Sequence, residues 1–328
     1  MVEVLFDTVS SLHRDELSEP VKRYADNLSA QLQQAFKDQG VDSYEAFRSL
    51  AQQESMPLDT VKKIADLAGK LDEITKTGEM GFDEAAFMRH YDAVVSEWME
   101  ESIDIDQYHP GLLQDKYCRE LPLIPLPVLQ FDPHFLNRLY KRKASYQENT
   151  YEDKAGIFIS LLYNQSLEDA DERNKDLVYQ EIDLRNNTEA ENIDFIGFQH
   201  SGGTVRIFGD IASLGAVGFQ MKAGEIIAQK IEIAGGDEMT GGILRVDEAQ
   251  EVGTMMHGGT IYVKQVESFL GISMDGGTIY CDSIGELASF GYSMKGGSIY
   301  IESDLKLSDI AIHKKTGGDI YYKGKKIA

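Results

Sequence analysis

The sequence predicts an α+β, multi-domain chain in which an N-terminal helical bundle precedes a C-terminal parallel β-helix, or solenoid, of about seven coils. Three observations predict this fold. Apolar residues recur at helical spacing through the first hundred residues, prolines cluster after them, and a glycine-rich phrase repeats through the last two-fifths. We expect a helical domain at 1–105, a proline-containing connector with short helices at 106–175, and the β-helix at 176–328.

Four segments of the first domain have the spacing of amphipathic helices, and they begin near residues 13, 43, 57 and 82. The first segment is typical, because its apolar residues lie three or four apart: Val21, Tyr24, Leu28, Leu32 and Phe36. Ser43 suits an N-cap and Pro57 suits a first helical turn. Short connections between four such helices predict a small bundle. We assign no chemistry to His90 or Glu97, since a lone histidine on such a helix is more often a surface or core-edge residue.

The connector holds five of the seven prolines, the last at Pro133. Proline lacks a backbone donor and forces its neighbours into extended conformations, so we expect this segment to lie against another part of the protein. A short helix is expected at 133–144. The apolar stretch 154–165 fits a helix or a strand, and the sequence LVYQEIDL alternates like a first β-strand.

Seven copies of one glycine phrase fill the last part of the chain: GFQHSGGTV, GFQMKAGEI, GDEMTGGIL, GTMMHGGTI, GISMDGGTI, GYSMKGGSI and the degenerate IHKKTGGDI. The second glycine of each pair falls at Gly203, Gly224, Gly242, Gly259, Gly277, Gly297 and Gly318, with spacings of 21, 18, 17, 18, 20 and 21 residues. Five copies carry a methionine at one position: Met221, Met239, Met256, Met274 and Met294.

A period near 20 residues, with one glycine turn and one short β-run in each copy, predicts a β-helix. Alternate residues after each glycine pair point inward in such a fold, which predicts two buried rows. These are Val205, Ile226, Leu244, Ile261, Ile279, Ile299 and Ile320, and then Ile207, Ala228, Val246, Val263, Cys281 and Ile301. Glycine fits corners where φ is positive or where stacked coils leave no room for a Cβ atom, and methionine fits a narrow corner. Seven coils spaced by about 4.8 Å would form a rod roughly 30 Å long.

The glycine-rich phrases do not predict a phosphate-binding loop. No helix is expected after them, and no lysine followed by serine or threonine completes a P-loop.

The iterated phrase G-x-x-M-x-G-G-x-I-x-V resembles the GXGXG repeat in the C-terminal domain of the glutamate synthase large subunit. It is equally similar to the repeat-bearing subunit of formylmethanofuran dehydrogenase and of the related formyltransferase/hydrolase complex. The resemblance covers residues 190–328. It implies a right-handed β-helix with a structural and assembly role, in which the glycines and methionines above are architectural and no catalytic residue is carried over. The first 175 or so residues match neither family, and the cysteines and flavin-binding barrel of glutamate synthase are missing.

One outward position is occupied by tyrosine in four successive copies, Tyr262, Tyr280, Tyr300 and Tyr321. A tyrosine ladder can simply stabilise the sheet, with the helical domain packed over it. It can also form a flat contact surface for another protein chain, because tyrosine is favoured at interfaces. A strip that binds a glycan or another ligand is the third alternative.

Two charged sets are interpreted as surface features. His257, Asp275 and Lys295 precede successive glycine pairs and could form a catalytic cluster, but exposed corner residues explain them better. Lysines 314, 315, 323, 325 and 326 make the end of the chain basic, which blunts an open solenoid end against edge-to-edge association.

The net charge of −23 lies mainly in residues 1–191, where 38 acids face 20 bases; residues 192–328 hold 17 acids and 12 bases. Such acidity disfavours nucleic acid as a partner. No apolar run is long enough to span a membrane, and the first residues do not resemble a secretory signal. Cys118 and Cys281 fit a reduced, cytoplasmic protein better than a disulfide scaffold, and we expect no metal or cofactor.

These observations favour a non-catalytic scaffold or assembly protein that resembles an accessory subunit. Its helical domain would serve as an adaptor to a protein partner or for homo-oligomerisation. The alternative is an enzyme with a site between the helical domain and the β-helix face, related to carbohydrate or formyl transfer. A self-polymerising cytoskeletal β-helix is a third possibility, weakened by the basic end and the acidic front domain.

Overall fold

The computed structural model describes residues 17–40, 56–100, 121–142, 149–185, 195–209, 216–285, 288–303, 311–312 and 315–328. The chain divides into two units, Met1–Met88 and Arg89–Ala328, and each is treated by itself. The predicted helix near residue 43 and the first part of the predicted connector lie outside the described residues. Within the described ranges, no helix is long and apolar enough to cross a bilayer.

The first unit is built from amphipathic helices, as predicted. Helix α1 (Glu19–Asp38) buries Val21, Tyr24, Leu28, Leu32 and Phe36. Helix α2 (Leu58–Thr77) packs against α1 and ends at Gly78, whose φ of +70° allows its N–H to donate to Ile74 O at 2.8 Å. Helix α3 (Glu84–Glu100) starts in this unit and continues into the second, where His90 lies on its exposed side.

Four helices of the second unit pack on the first strands of the β-sheet. They are α4 (Leu126–Phe131), α5 (Phe135–Arg142), α6 (Asn149–Leu167) and α7 (Glu172–Lys175). The stretch for which a helix or a strand was expected is therefore helix α6. Its residues 156–163 are all buried, as expected for a helix that is apolar on every side.

Polar side chains fix these helices to the end of the solenoid. The Tyr163 hydroxyl donates to Gly202 O at 2.9 Å, and Asn164 donates to Phe198 O at 3.0 Å. Gln180 in the first strand is fully buried, and its amide donates to Leu129 O at 2.8 Å and to Asp132 O at 2.7 Å. Helices α4 to α6 thus cover the first end of the sheet and satisfy its polar groups.

The second unit continues as a parallel β-helix, which confirms the predicted fold class. Its strands are β1 (Tyr179–Asp183), β2 (Ser201–Phe208), β3 (Ala216–Val217), β4 (Ala223–Gly235), β5 (Ile243–Val252), β6 (Thr260–Leu270), β7 (Thr278–Ile284), β8 (Ser289–Phe290), β9 (Ser298–Ile301), β10 (Ala311–Ile312), β11 (Asp319–Tyr322) and β12 (Lys325–Lys326). The main ladder runs β1-β2-β4-β5-β6-β7-β9-β11-β12. About six turns lie within 201–322 rather than seven, because seven glycine pairs enclose six complete coils.

The core of the solenoid is formed by the two inward rows. Equivalent residues pair in register along the ladder, as in Leu244 with Ile261 and Ile261 with Ile279. Both predicted rows are buried throughout, from Val205 to Ile320 in the first and from Ile207 to Ile301 in the second. Cys281 is 1% exposed in the second row and lies among these aliphatic side chains as a small apolar residue.

The two glycines of a pair meet different constraints, which Gly276 and Gly277 illustrate. A Cβ atom on Gly276 would lie 2.0 Å from His257 O of the preceding coil. Gly277 has φ +77°, and a Cβ atom there would lie 2.5 Å from the Met256 methyl carbon. Each of the five repeat methionines is fully buried, and its methyl occupies the same space above the second glycine of the next coil. The pair thus combines a close backbone approach with a left-handed turn.

A second left-handed position, which the sequence does not predict, occurs in six of the seven repeat copies. It is occupied by residues other than glycine: Gln199, Gln220, Glu238, Met255, Ser273 and Ser293, with φ between 50° and 56°. These residues stand directly before the inward methionine or His200. The left-handed conformation is higher in free energy for an L-amino acid, so each of these six residues holds local backbone strain.

The last coil is closed by the chain itself. Strand β12 runs antiparallel to β11, and Ile320 N–H donates to Ala328 O at 2.9 Å. Lys326 forms an ion pair of 2.5 Å with Asp319. The end of the sheet is thus covered by a strand that folds back on β11 and that itself carries Lys325 and Lys326. Lys314 lies outside the described residues.

Candidate functional site

The four predicted tyrosines form one continuous column on the outer face of the β-helix. The ring centroids of Tyr262 and Tyr280 are 5.1 Å apart, those of Tyr280 and Tyr300 are 5.0 Å apart, and those of Tyr300 and Tyr321 are 4.7 Å apart. Successive rings are within 15° of parallel. The stacking follows from strand register, because equivalent residues of neighbouring parallel strands are about 4.8 Å apart. We call these four residues the tyrosine column.

Charged groups lie at both ends of the tyrosine column. The Arg245 guanidinium carbon lies 4.3 Å from the ring centroid of Tyr262, and Arg245 Nε donates to Glu225 at 2.6 Å. At the other end the Tyr321 hydroxyl donates to Asp319 at 3.3 Å. Partial desolvation, followed by the Asp319 charge, raises the pKa of Tyr321. The column is thus stacked internally and ends in a cation–π contact.

The rings present their edges rather than their faces to a binding partner. Tyr262 is 38% exposed and Tyr280 is 39% exposed, while Tyr300 and Tyr321 are half-buried. Because each ring face is covered by its neighbour, the accessible atoms are ring edges and hydroxyl groups. Such a surface offers apolar area together with hydrogen-bonding groups, the combination that enriches tyrosine at protein interfaces.

Two further columns flank the tyrosine column on the same outer face. On one side are the hydroxyl residues Thr260, Thr278 and Ser298. On the other side is a charged column of one residue per coil: Asp247, Lys264, Asp282, Glu302 and Lys323. Within it Lys264 pairs with Asp247 at 2.7 Å. We call the three columns together, with Arg245, Glu225, Asp319 and Lys326 at their ends, the tyrosine face.

The predicted corner residues are exposed, in agreement with their interpretation as surface features. The fold brings His257 Nδ1 to 2.6 Å from Asp275 Oδ1. These two side chains are 50% and 43% exposed, and Lys295 on the next coil is exposed as well. A histidine and a carboxylate in contact can exchange a proton, but here they face solvent.

The sequence does not predict two titratable residues with shifted pKa values, the buried His200 and the half-buried Asp237. His200 occupies the methionine position of the first coil, where it stacks on Tyr163 with ring centroids 5.4 Å apart. Burial lowers the pKa of His200 to about 4, although its Nε2 lies 3.2 Å from Gly203 O. The sequence signal for the burial of His200 is the phrase GFQH, which has histidine at the position where five other copies have the buried methionine.

Asp237 is the second residue; it is half-buried and sits at a corner between two coils. Burial raises the pKa of Asp237 to about 7, and the charges of Glu251 and Glu238 add to the rise. The Thr254 N–H donates to its carboxylate at 3.2 Å and opposes the shift. Its position after a repeat glycine is visible in the sequence, but its burial is not.

Within the described ranges, no group of three histidine, cysteine or acidic side chains is placed to hold a metal ion. Comparison of the chain with protein-family models, with curated proteins and with solved structures gives no match.

Proposed function

We propose that this chain is a non-catalytic scaffold or assembly protein, similar to an accessory subunit, which binds a protein partner through the tyrosine face. In this proposal the N-terminal helical segment acts as an adaptor to the partner or in homo-oligomerisation. The resemblance to the GXGXG-repeat family supports the assembly role. The two cysteines, Cys118 and buried Cys281, support placing this role in the cytoplasm.

The observation that carries the proposal is the tyrosine column. Its rings are held in place by strand register and by their own stacking, so they lose little conformational freedom on binding. Rigid aromatic side chains of this kind are frequent energetic centres of protein interfaces. Charged side chains of both signs surround the column, as is typical of the polar rim of an interface.

Site-specific photo-crosslinking in the native cell tests the proposal. Tyr280 is replaced by p-benzoylphenylalanine in one variant and Tyr292 in a control variant. Tyr292 is a suitable control because it is also exposed, at 53%, but lies at a corner outside the tyrosine face. We expect position 280 to give one abundant crosslinked protein, identified by mass spectrometry, and position 292 to give little of it.

Equal crosslinking at both positions, or none at position 280, would contradict a contact through the tyrosine face. A second pair of variants measures the contribution of the column. Tyr280→Ser should weaken copurification of the crosslinked partner, whereas Tyr292→Ser should leave it unchanged.

A further inference from the structure

We propose that the tyrosine face binds the same face of a second copy of this chain, with the two β-helices antiparallel and the two-fold axis passing at Tyr280. This inference names the partner of the proposed function and rests on it. It comes from the order of charges along the face.

The tyrosine face is nearly neutral in a chain of net charge −23. It holds five acidic side chains, Glu225, Asp247, Asp282, Glu302 and Asp319, and four basic ones, Arg245, Lys264, Lys323 and Lys326. Its net charge is therefore −1. Two copies of a strongly acidic protein repel each other in general, and a balanced face is where they can approach.

The charged column is complementary to itself when it is reversed about Asp282. With one residue per coil, a two-fold axis at the Asp282 coil places Asp247 of one copy opposite Lys323 of the other. The same axis places Lys264 opposite Glu302. Each contact occurs twice by symmetry, and only Asp282 then faces its own copy.

Other arrangements bring like charges together. A slide by one coil in one direction places Lys264 opposite Lys323 and Asp282 opposite Glu302. The opposite slide pairs Lys264 with Asp282, but it places Asp247 opposite Glu302 and leaves Lys323 without an acidic partner in the charged column. With the two β-helices parallel, Asp319 would face Lys323, but Arg245 would face its own copy and the contacts of Lys264 with Glu302 and of Asp247 with Lys323 would be lost. The charge order therefore selects one orientation and one register.

The remaining groups of the face agree with this register. Tyr280 meets Tyr280 of the second copy, and Tyr262 meets Tyr300. Arg245 lies opposite Tyr321, and Asp319 lies two residues before Tyr321 on the same strand, so a second carboxylate comes near the guanidinium. Ring edges and hydroxyl groups of the two columns thus form an aromatic centre between two charged rims.

The size of the face predicts a weak dimer. Six coil steps of about 4.8 Å and five strand residues of about 3.3 Å give roughly 450 Å² per copy. A standard interface buries about 800 Å² per partner, so we expect dissociation constants in the micromolar range. The dimer should weaken further as salt is added, because exposed ion pairs are screened.

Analytical ultracentrifugation of the full chain with two charge reversals tests the register. Lys264→Glu and Glu302→Lys each place like charges in two symmetric contacts, so each should dimerise roughly 10- to 100-fold more weakly than the wild type. An equimolar mixture of the two variants should dimerise again, because both mixed contacts regain opposite charges. Glu248→Lys, a reversal on another face, serves as the control and should leave dimerisation unchanged.

Asp282→Asn should strengthen dimerisation, because it removes the repulsion between the two Asp282 carboxylates at the two-fold axis. A wild-type protein that stays monomeric at about 100 μM, 100-fold above a dissociation constant of about 1 μM, overturns the inference. A dimer that both reversals leave intact overturns it too, as does failure of the mixture to restore dimerisation. A monomer that still crosslinks to another protein through position 280 rejects self-pairing and leaves the scaffold proposal standing.

Discussion

A single methyl group at Gly276 should strongly destabilise the β-helix. In Gly276→Ala the new Cβ would lie 2.0 Å from His257 O, whereas real Cβ contacts essentially never fall below 3.0 Å. The two coils must therefore separate locally by about 1 Å, which lengthens two hydrogen bonds to Met256 O that now measure 3.0 and 3.2 Å. Each such bond contributes about 1 kcal/mol, and forced repacking costs about 1–3 kcal/mol more. We expect a loss of about 3–5 kcal/mol.

Gly324→Ala is the matched control. Gly324 also lies in the second unit, at φ +73°, but a Cβ atom there meets nothing within 4 Å. It should lose only about 1 kcal/mol, from the left-handed conformation alone. Urea unfolding followed by circular dichroism measures both variants, and hydrogen exchange of peptides from β6 and β7 locates the change. Equal losses in the two variants would refute the view that close backbone approach dictates Gly276.

Three further predictions follow from single residues. The pKa of Asp237 is about 7 in the folded protein, compared with an ordinary value of 3.8 in the unfolded chain, so folding favours the protonated carboxyl. The resulting contribution to the free energy of unfolding is fully present below pH 4 and is lost as the pH rises through 7. Asp237→Asn should remove up to about 4 kcal/mol of this change in the free energy of unfolding between pH 4 and pH 7. If thermal unfolding of the wild type and the variant depends on pH in the same way, this prediction is wrong. Ser273→Gly should raise stability by about 0.5–1 kcal/mol, because φ is +54° there; a lower melting temperature would count against stored strain. Burial raises the pKa of Cys281 to about 12, so a Cys118→Ser protein should react with a thiol reagent only after denaturant is added, and rapid labelling of the folded protein would disprove this.

The repeat made most of the solenoid predictable from the sequence. A fixed phrase fixes the register, and register then dictates that Ile261, Ile279 and Ile299 share one buried row and that Tyr262, Tyr280 and Tyr300 share one outer column. Residue type alone identified the glycines and methionines as corner residues. The sequence therefore predicts the tyrosine column as well as the buried rows.

Features without a repeated signal were harder to predict. Residues 156–163 of helix α6 are buried on every side, so this stretch lacks the periodicity that separates helix from strand. The left-handed Met255 and Ser273 could not be expected, because residues other than glycine rarely adopt that conformation. The raised pKa of Asp237 depends on burial by a neighbouring coil, and the charge pairing of the tyrosine face depends on the order of residues across coils rather than along the chain.

The buried methionines give the chain an oxidative vulnerability that depends on its folding state. While the β-helix is intact, the sulfur atoms of Met221, Met239, Met256, Met274 and Met294 are withdrawn from solvent oxidants. In an unfolded or newly synthesised chain all five are accessible, and a sulfoxide would add a polar oxygen to a space that a methyl group already fills against the next glycine. Oxidation before folding would therefore oppose formation of the corners, whereas the folded β-helix protects the same five sulfur atoms.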